Sequence, residues 1–263
     1  MNKKQLSEVS KNYFSYLENY LKAVKDIGLD VNSKKLEFQF ESFRDWSILN
    51  TFNEVESWYE DKLEKEKMSV SVIPLDECRG WSVKDKKIYH KSGEFFSIEG
   101  LRVKNSSNRE VGDRGWDQPI IKQIGFDGGI LGIMRKRFEG IPHYLIEAKA
   151  EPGNPNIVQM SPTLQATFSN IKKSHEGRAP SYLDFFENPD KYNAIVHYKQ
   201  WLAEDGGRLY NKRNLNMLIE VPESCNVVIE GDSFIWMSLY QIKKFLLRDT
   251  WINPHIRGII SHI

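Results

Sequence analysis

His143-Tyr-Leu-Ile-Glu-Ala-Lys-Ala-Glu151 is the stretch on which the reading of this chain turns. If it is a strand, successive side chains point to opposite faces. One face then carries Tyr144, Ile146, Ala148 and Ala150, an unbroken apolar set suited to a core. The other carries His143, Leu145, Glu147, Lys149 and Glu151. Ionisable groups of mixed type on one face are candidates for lining a polar cleft with a general acid and a general base. A solvent-facing strand whose alternating charges pair across the sheet is the plainer reading. The strand alone does not choose between them.

Glu151-Pro-Gly-Asn-Pro-Asn156 follows at once as a turn-forming loop. Next comes Gln159-Met-Ser-Pro-Thr-Leu-Gln-Ala-Thr-Phe-Ser-Asn170, rich in uncharged donors and acceptors. Gln159, Ser161, Thr163, Gln165 and Asn170 suit the wall of a sugar site, where each hydroxyl needs a hydrogen-bond partner. A helix capped by Ser161 or Thr163, its other polar groups facing water, is the alternative. Further on, Gly206-Gly-Arg-Leu-Tyr-Asn-Lys-Arg-Asn-Leu-Asn216 joins paired glycines to Arg208, Lys212 and Arg213. Arginine's donor fork suits a diphosphate, and glycine lets backbone amides approach one. Basic turns before strands are common, so this pattern leaves the matter open.

The rest of the chain frames these stretches. Leu6, Val9, Tyr13, Leu17, Tyr20, Leu21 and Val24 recur at helical spacing, with Gly28 as the stop. A second helical pattern runs from Phe40 to Leu63. After Met68 the pattern becomes short β-branched and aromatic runs, with Leu215–Val221 a further buried strand. Short helices are expected near Thr163–Ile171 and Tyr182–Phe186, and a longer one over Phe234–Leu247 capped by Ser233. The expected layout is a helical segment over 1–67 and a mixed β-rich body over 68–263, an α+β fold.

Composition excludes several classes. The 263 residues carry 37 basic and 36 acidic side chains, a net charge of +1, which lacks the basic excess of a nucleic-acid binder. Cys78 and Cys225 have no partner spacing, and the six histidines show no metal-ligand spacing. No apolar run is long enough to span a bilayer, and Met1–Ser10 has no signal-peptide core. A cytoplasmic protein is expected. Gly-x-x-x-x-Gly-Lys-Ser/Thr, Gly-x-Gly-x-x-Gly and His-Glu-x-x-His are all missing.

Four runs taken together resemble the NDP-hexose 2,3-dehydratase family of deoxysugar biosynthesis. They are Arg109-Glu-Val with Trp116-Asp-Gln-Pro119; His143 through Asn154; Gln159 through Asn170 with His175; and Arg208 with Lys212-Arg-Asn-Leu-Asn-Met217. Trp236-Met-Ser-Leu-Tyr-Gln241 is similar to the family's closing helix, and the resemblance covers Phe40 to the C-terminus. It implies a Nudix-like mixed sheet with flanking helices, although the glutamates of the Nudix hydrolytic box are absent around Arg109-Glu110-Val111. Typical members hold two tandem copies of the module, so a chain with one is expected to form a homodimer. Glu147 and Ala203-Glu-Asp-Gly-Gly207 depart from the Gln and Ser-Glu-Gln-Gly-Ser of the family pattern, which bears on substrate specificity.

The resemblance implies loss of water across C2 and C3 of a 4-keto-6-deoxy sugar held as its nucleoside diphosphate, such as dTDP-4-keto-6-deoxyglucose. No redox cofactor or metal is needed. His143, Glu147, Lys149, Glu151 and His175 are the candidates for acid and base. Arg208 and Arg213 would hold the diphosphate. Gln159, Ser161, Thr163, Gln165 and Asn170 would meet sugar hydroxyls, with Trp116, Gln118 and Arg109 as further substrate contacts. An epimerase or ketoisomerase sharing the C3 deprotonation, and a non-catalytic nucleotide-sugar binder, are the competing functions.

Overall fold

The computed structural model describes residues 3–30, 32–93, 95–104, 114–123, 127–167, 171, 179–204 and 207–263. Three helices come first: α1 (Lys3–Asp26), α2 (Ser33–Phe43) and α3 (Phe52–Lys65). The single helical pattern expected over Phe40–Leu63 is two helices, because Thr51 forms a capping box with Glu54 and restarts the helix. The chain then runs exposed from Glu66 through a 3-10 turn at Leu75–Glu77 to a four-stranded antiparallel sheet, β1 (Trp81–Lys84), β2 (Lys87–His90), β3 (Phe96–Val103) and β4 (Trp116–Gln123).

The main sheet is built from β5 (Asp127–Phe138), β6 (Ile141–Ala150), β7 (Val158–Pro162), β8 (Leu164–Ala166), β9 (Ile195–Ala203), β10 (Arg213–Val221) and β11 (Phe234–Met237). Its order is β11-β6-β5-β10-β9, with β10 parallel to β5 and the other pairs antiparallel. β5 and β6 pair only from Met134↔Leu145 to Phe138↔Ile141 and then diverge. The β7–β8 hairpin fills the fork, β7 on β6 and β8 on β5. Thr163 sits at the tip of this wedge. Its hydroxyl accepts from Met134 N–H at 2.8 Å and donates to the Leu145 carbonyl, satisfying the two backbone groups freed where the strands part.

Helices cover both faces, giving the expected α+β architecture. On one face Phe38 of α2 and Val55 and Tyr59 of α3 join Tyr144, Ile146 and Ala148. The last helices, α5 (Leu239–Phe245) and α6 (Pro254–Ile260), complete that core. On the other face α4 (Leu183–Glu187) packs so closely that a Cβ on Gly132 would lie 2.2 Å from the Phe186 ring. The long helix expected over Phe234–Leu247 is a correction. Phe234–Met237 is a buried strand paired with β6, and α5 is capped by Ser238 with Gln241, not by Ser233. The expected helix over Thr163–Ile171 is likewise corrected at Leu164–Ala166, which is strand β8.

Candidate functional site

The two halves of β6 have different surroundings. In the first, His143 is fully buried. Ile48 N–H donates to its Nε2 at 3.2 Å, and its Nδ1 lies 3.0 Å from the Ile141 carbonyl, which fixes the tautomer with the proton on Nδ1. Burial, aided by the Arg135 charge and opposed by the Ile141 contact, pulls its pKa down to about 4. His143 is thus a neutral clasp for the loop between α2 and α3, with both ring nitrogens engaged.

Glu147 and Lys149 lie in the second half of the strand, on the face of Leu145 and Phe234, and Glu151 follows its end. Glu147 is paired with Ser161, and Lys149 with Gln159, on adjacent β7, so these four side chains share that face. Burial raises the Glu147 carboxyl pKa, Lys149 at 3.6 Å opposes this, and Glu151 adds to it. Gln165 of β8 donates to Glu151 at 3.3 Å and accepts from Asn253 at 3.2 Å, while Asn253 also donates to Ser161 at 2.7 Å. Asn253, which caps α6, therefore bridges the two arms of the wedge. Gln159 donates to the Thr250 carbonyl at 2.8 Å.

Beside Gln165 and Asn253, on the face of Leu131 and opposite the face that Glu147 shares with Phe234, is a cavity of about 580 Å³. Its walls include Leu131, the strand partner of Gln165; Gly153 and Asn154, just after Glu151; and His255, just after Asn253 and Pro254. Asn214 and Asn216 of β10 and Glu204 form another wall, with Asn214 donating to Glu204 at 2.8 Å. Gly129 makes room for Asn214, since a Cβ there would lie 2.1 Å from Asn214 Oδ1. Asn214, Asn216, Asn253 and Glu204 were not selected from sequence. The asparagines stood in or near noted runs, but only pairing across strands shows which of them meet.

Of the expected substrate contacts, Arg208 and Arg213 are exposed at the turn between β9 and β10, beside cavity residues Ala203 and Leu209, and Arg213 lies 5.4 Å over Trp201. Trp116 and Gln118 are on β4 of the smaller sheet, hydrogen-bonded to each other at 2.6 Å. That sheet touches this end of the main one through the Ile121↔Leu209 bridge. Thr163 is buried at the wedge tip, with its hydroxyl engaged in the fork. Arg109, Asn170 and His175 lie outside the described residues. Among the described residues no three His, Cys, Asp or Glu side chains come together to hold a metal. No helix there is long and apolar enough to cross a membrane.

A raised carboxyl pKa beside a lysine on one face of the wedge, and asparagine amides lining a cavity on the other, supply groups for moving protons and for holding a polyhydroxylated ligand. The sequence places this chemistry in a family. The chain belongs to the NDP-hexose 2,3-dehydratases, whose family model matches residues 52–263. A dTDP-4-dehydro-6-deoxy-alpha-D-glucopyranose 2,3-dehydratase from Amycolatopsis orientalis is 38% identical over 213 residues, covering 79% of this chain and 44% of that protein. The protein of the same name from Saccharopolyspora spinosa is 36% identical over 212 residues, covering 80% and 42%. The chain thus spans under half the length of the curated relatives it matches. Among solved structures, a Nudix hydrolase from M. smegmatis, RenU, aligns over 62% of this chain and 92% of its own at 14% identity and a TM-score of 0.32. The architecture rests on its own strand order and not on that likeness.

Proposed function

We propose that this chain eliminates water across C2–C3 of a nucleoside-diphosphate-linked 4-keto-6-deoxyhexose, with dTDP-4-keto-6-deoxyglucose the expected substrate. The family match over residues 52–263 is the observation that carries this reading. The end of β6 supports it. The C4 ketone acidifies the C3 proton, which passes to a base. The C3 electron pair forms the C2=C3 bond, and the C2–O bond breaks as the departing hydroxyl takes a proton and leaves as water. The resulting enol tautomerises to a 3,4-diketo sugar. Glu147, its proton affinity raised by burial, is the group we assign to C3 deprotonation. Lys149, 3.6 Å from Glu147, serves the ketone oxygen or the leaving hydroxyl, with Glu151 and Gln165 joined across the wedge. Each proton-transfer role is worth about 10²- to 10⁴-fold in rate. Arg208 and Arg213 are assigned to the diphosphate, and Gln159 and Ser161 to sugar hydroxyls.

The same proposal includes a homodimer in a cytoplasmic setting. Support for the first is the exposed apolar run Met68, Val70, Val72, Ile73 and Leu75, in which Val72 has no neighbour shielding it. For the second it is two free cysteines. Light scattering during size exclusion tests the dimer. For the reaction, the purified chain is incubated with dTDP-4-keto-6-deoxyglucose in deuterated water. The expected product lacks the mass of one water and carries solvent deuterium at C2. Deuterium without water loss would indicate an epimerase or ketoisomerase. A ligand-induced melting shift with unchanged substrate would reduce the chain to a binding module.

A further inference from the structure

The smaller sheet carries a second cavity, of about 540 Å³, within the range that holds a nucleoside-sized ligand. The register of β2, β3 and β4 pairs Tyr89 with Ser97 and Ser97 with Lys122, so Lys87, Tyr89, Ser97, Glu99 and Lys122 share one face, and all five line the cavity. Ser97 at 2.9 Å and Lys122 at 3.3 Å hold the Glu99 carboxyl ionised, its pKa below the usual range. Tyr89, Phe95 and Phe96 give the walls flat aromatic surface. Gln123, another lining residue, has its Oε1 buried with no hydrogen-bond partner among the described residues. A buried acceptor left unmet is costly and awaits a donor.

The position matters as much as the lining. β4 joins the main sheet where Tyr210 N–H donates to the Ile121 carbonyl at 2.8 Å, and Lys122 lies 5.9 Å over the Tyr210 ring. Lys122 lines this cavity, and Leu209 lines the one beside the wedge. The segment Arg208–Tyr210 therefore stands between the two cavities.

The geometry points to the β2–β4 cavity as the seat of the nucleoside end of the nucleotide sugar, with the hexose at the wedge and the diphosphate passing Arg208. This rests on the reading under Proposed function. Aromatic walls suit a flat base better than a puckered sugar. A base N–H supplies the donor that Gln123 Oε1 lacks, and Lys87 and Lys122 supply cations for the phosphate oxygens.

Calorimetric titration of the full chain with thymidine diphosphate tests the assignment separately from turnover. Lys87→Ala is expected to weaken binding about tenfold, and Gln123→Leu about fivefold, the scale of one lost charged or neutral hydrogen bond. Gln123→Leu removes an unmet polar atom, so its Tm should hold or rise, which separates lost recognition from lost folding. Asn216→Ala, in the other cavity, should slow dehydration of the keto sugar while leaving thymidine diphosphate affinity within about twofold. Unchanged affinity in both Lys87→Ala and Gln123→Leu overturns the assignment, as does a wild-type chain that does not bind thymidine diphosphate. Wild-type binding with the expected losses but no dehydration would sink the activity reading and leave this site standing.

Discussion

One strand, β6, carries charge and polarity at both ends, and the two ends are organised differently. Around its first half, Arg135 is 1% exposed and bonded to Glu41 at 2.6 Å, to Glu220 and to the Tyr144 hydroxyl. Arg137 adds contacts to Glu220 and Glu37, both at 2.8 Å, and His197 reaches Glu220 at 2.6 Å. At the other end Glu147, Lys149 and Glu151 are looser, with a single 3.6 Å ion pair among the described residues and one hydrogen bond from Gln165 to Glu151. The first cluster ties α2 to the sheet through several well-placed partners for each charge. The second leaves capacity for a ligand. Charge on a buried strand is thus no signal of function by itself; unused bonding capacity is.

If the first cluster is structural, removing its centre should cost more than any other single change. Arg135→Met leaves Glu41 and Glu220 buried without their main cation. The expected loss is about 3–5 kcal/mol of unfolding free energy, read by urea denaturation. A loss under about 1 kcal/mol would mean that water enters the cluster and that the two ends of β6 are alike.

Glu147→Gln probes the opposite end. Because burial raises its pKa in the fold, Glu147 contributes stability that is fully present below its unfolded pKa and is lost as pH rises through the higher folded value. Near neutral pH the charged form is therefore a burden on the fold, so the amide should hold or raise Tm. Turnover should fall about 10²-fold or more. Loss of stability with activity intact would reverse the assignment of the two halves.

Much of this division was hidden in the sequence. Alternation over Tyr144–Ala150 correctly indicates a strand with Tyr144, Ile146 and Ala148 facing a core. The same alternation groups His143 with Glu147 and Lys149, but the loop over Ser47–Ile48 and the Phe138 ring close over His143, and they come from elsewhere in the chain. Period-two reasoning gives the face and says nothing about what covers it. Thr163 reads as a sugar contact or a helix cap, yet its hydroxyl is engaged where two strands part. The strand β9 went unrecognised: its register on β10 shifts between Leu218 and Ile219, and its exposure follows no alternation. Arg208 and Arg213 were legible as a basic turn, and their place beside a cavity was not.

His143 offers a smaller test of the closed half. Its folded pKa of about 4 lies below the ordinary 6.5, so the unfolded chain binds the proton more readily. The stability it contributes is fully present above pH 6.5 and declines as pH falls toward 4, by roughly 3 kcal/mol across the window. Glu41, raised by burial, slopes the other way, so the informative quantity is wild type minus His143→Asn. That difference should shrink as the solution is acidified. A difference independent of pH would show that the imidazole is solvated, contrary to its contacts.

The smallest effect separates two serines that look alike in sequence. Ser238 accepts from Gln241 N–H at 3.1 Å and donates to Asp45 at 2.8 Å, and the Gln241 side chain reaches Asp45 and the Asn50 carbonyl. One hydroxyl therefore caps α5 and ties it to the loop that also holds His143. Ser238→Ala should cost about 1–2 kcal/mol. Ser233 precedes a strand, and its carbonyl accepts from Ala148 N–H at 2.7 Å. Ser233→Ala keeps that carbonyl and should stay within about 0.5 kcal/mol of wild type. Equal costs at the two positions would restore a helix beginning at Phe234 and remove β11 from the edge of β6. The first half of the strand would then lose the cover that sets it apart from the second.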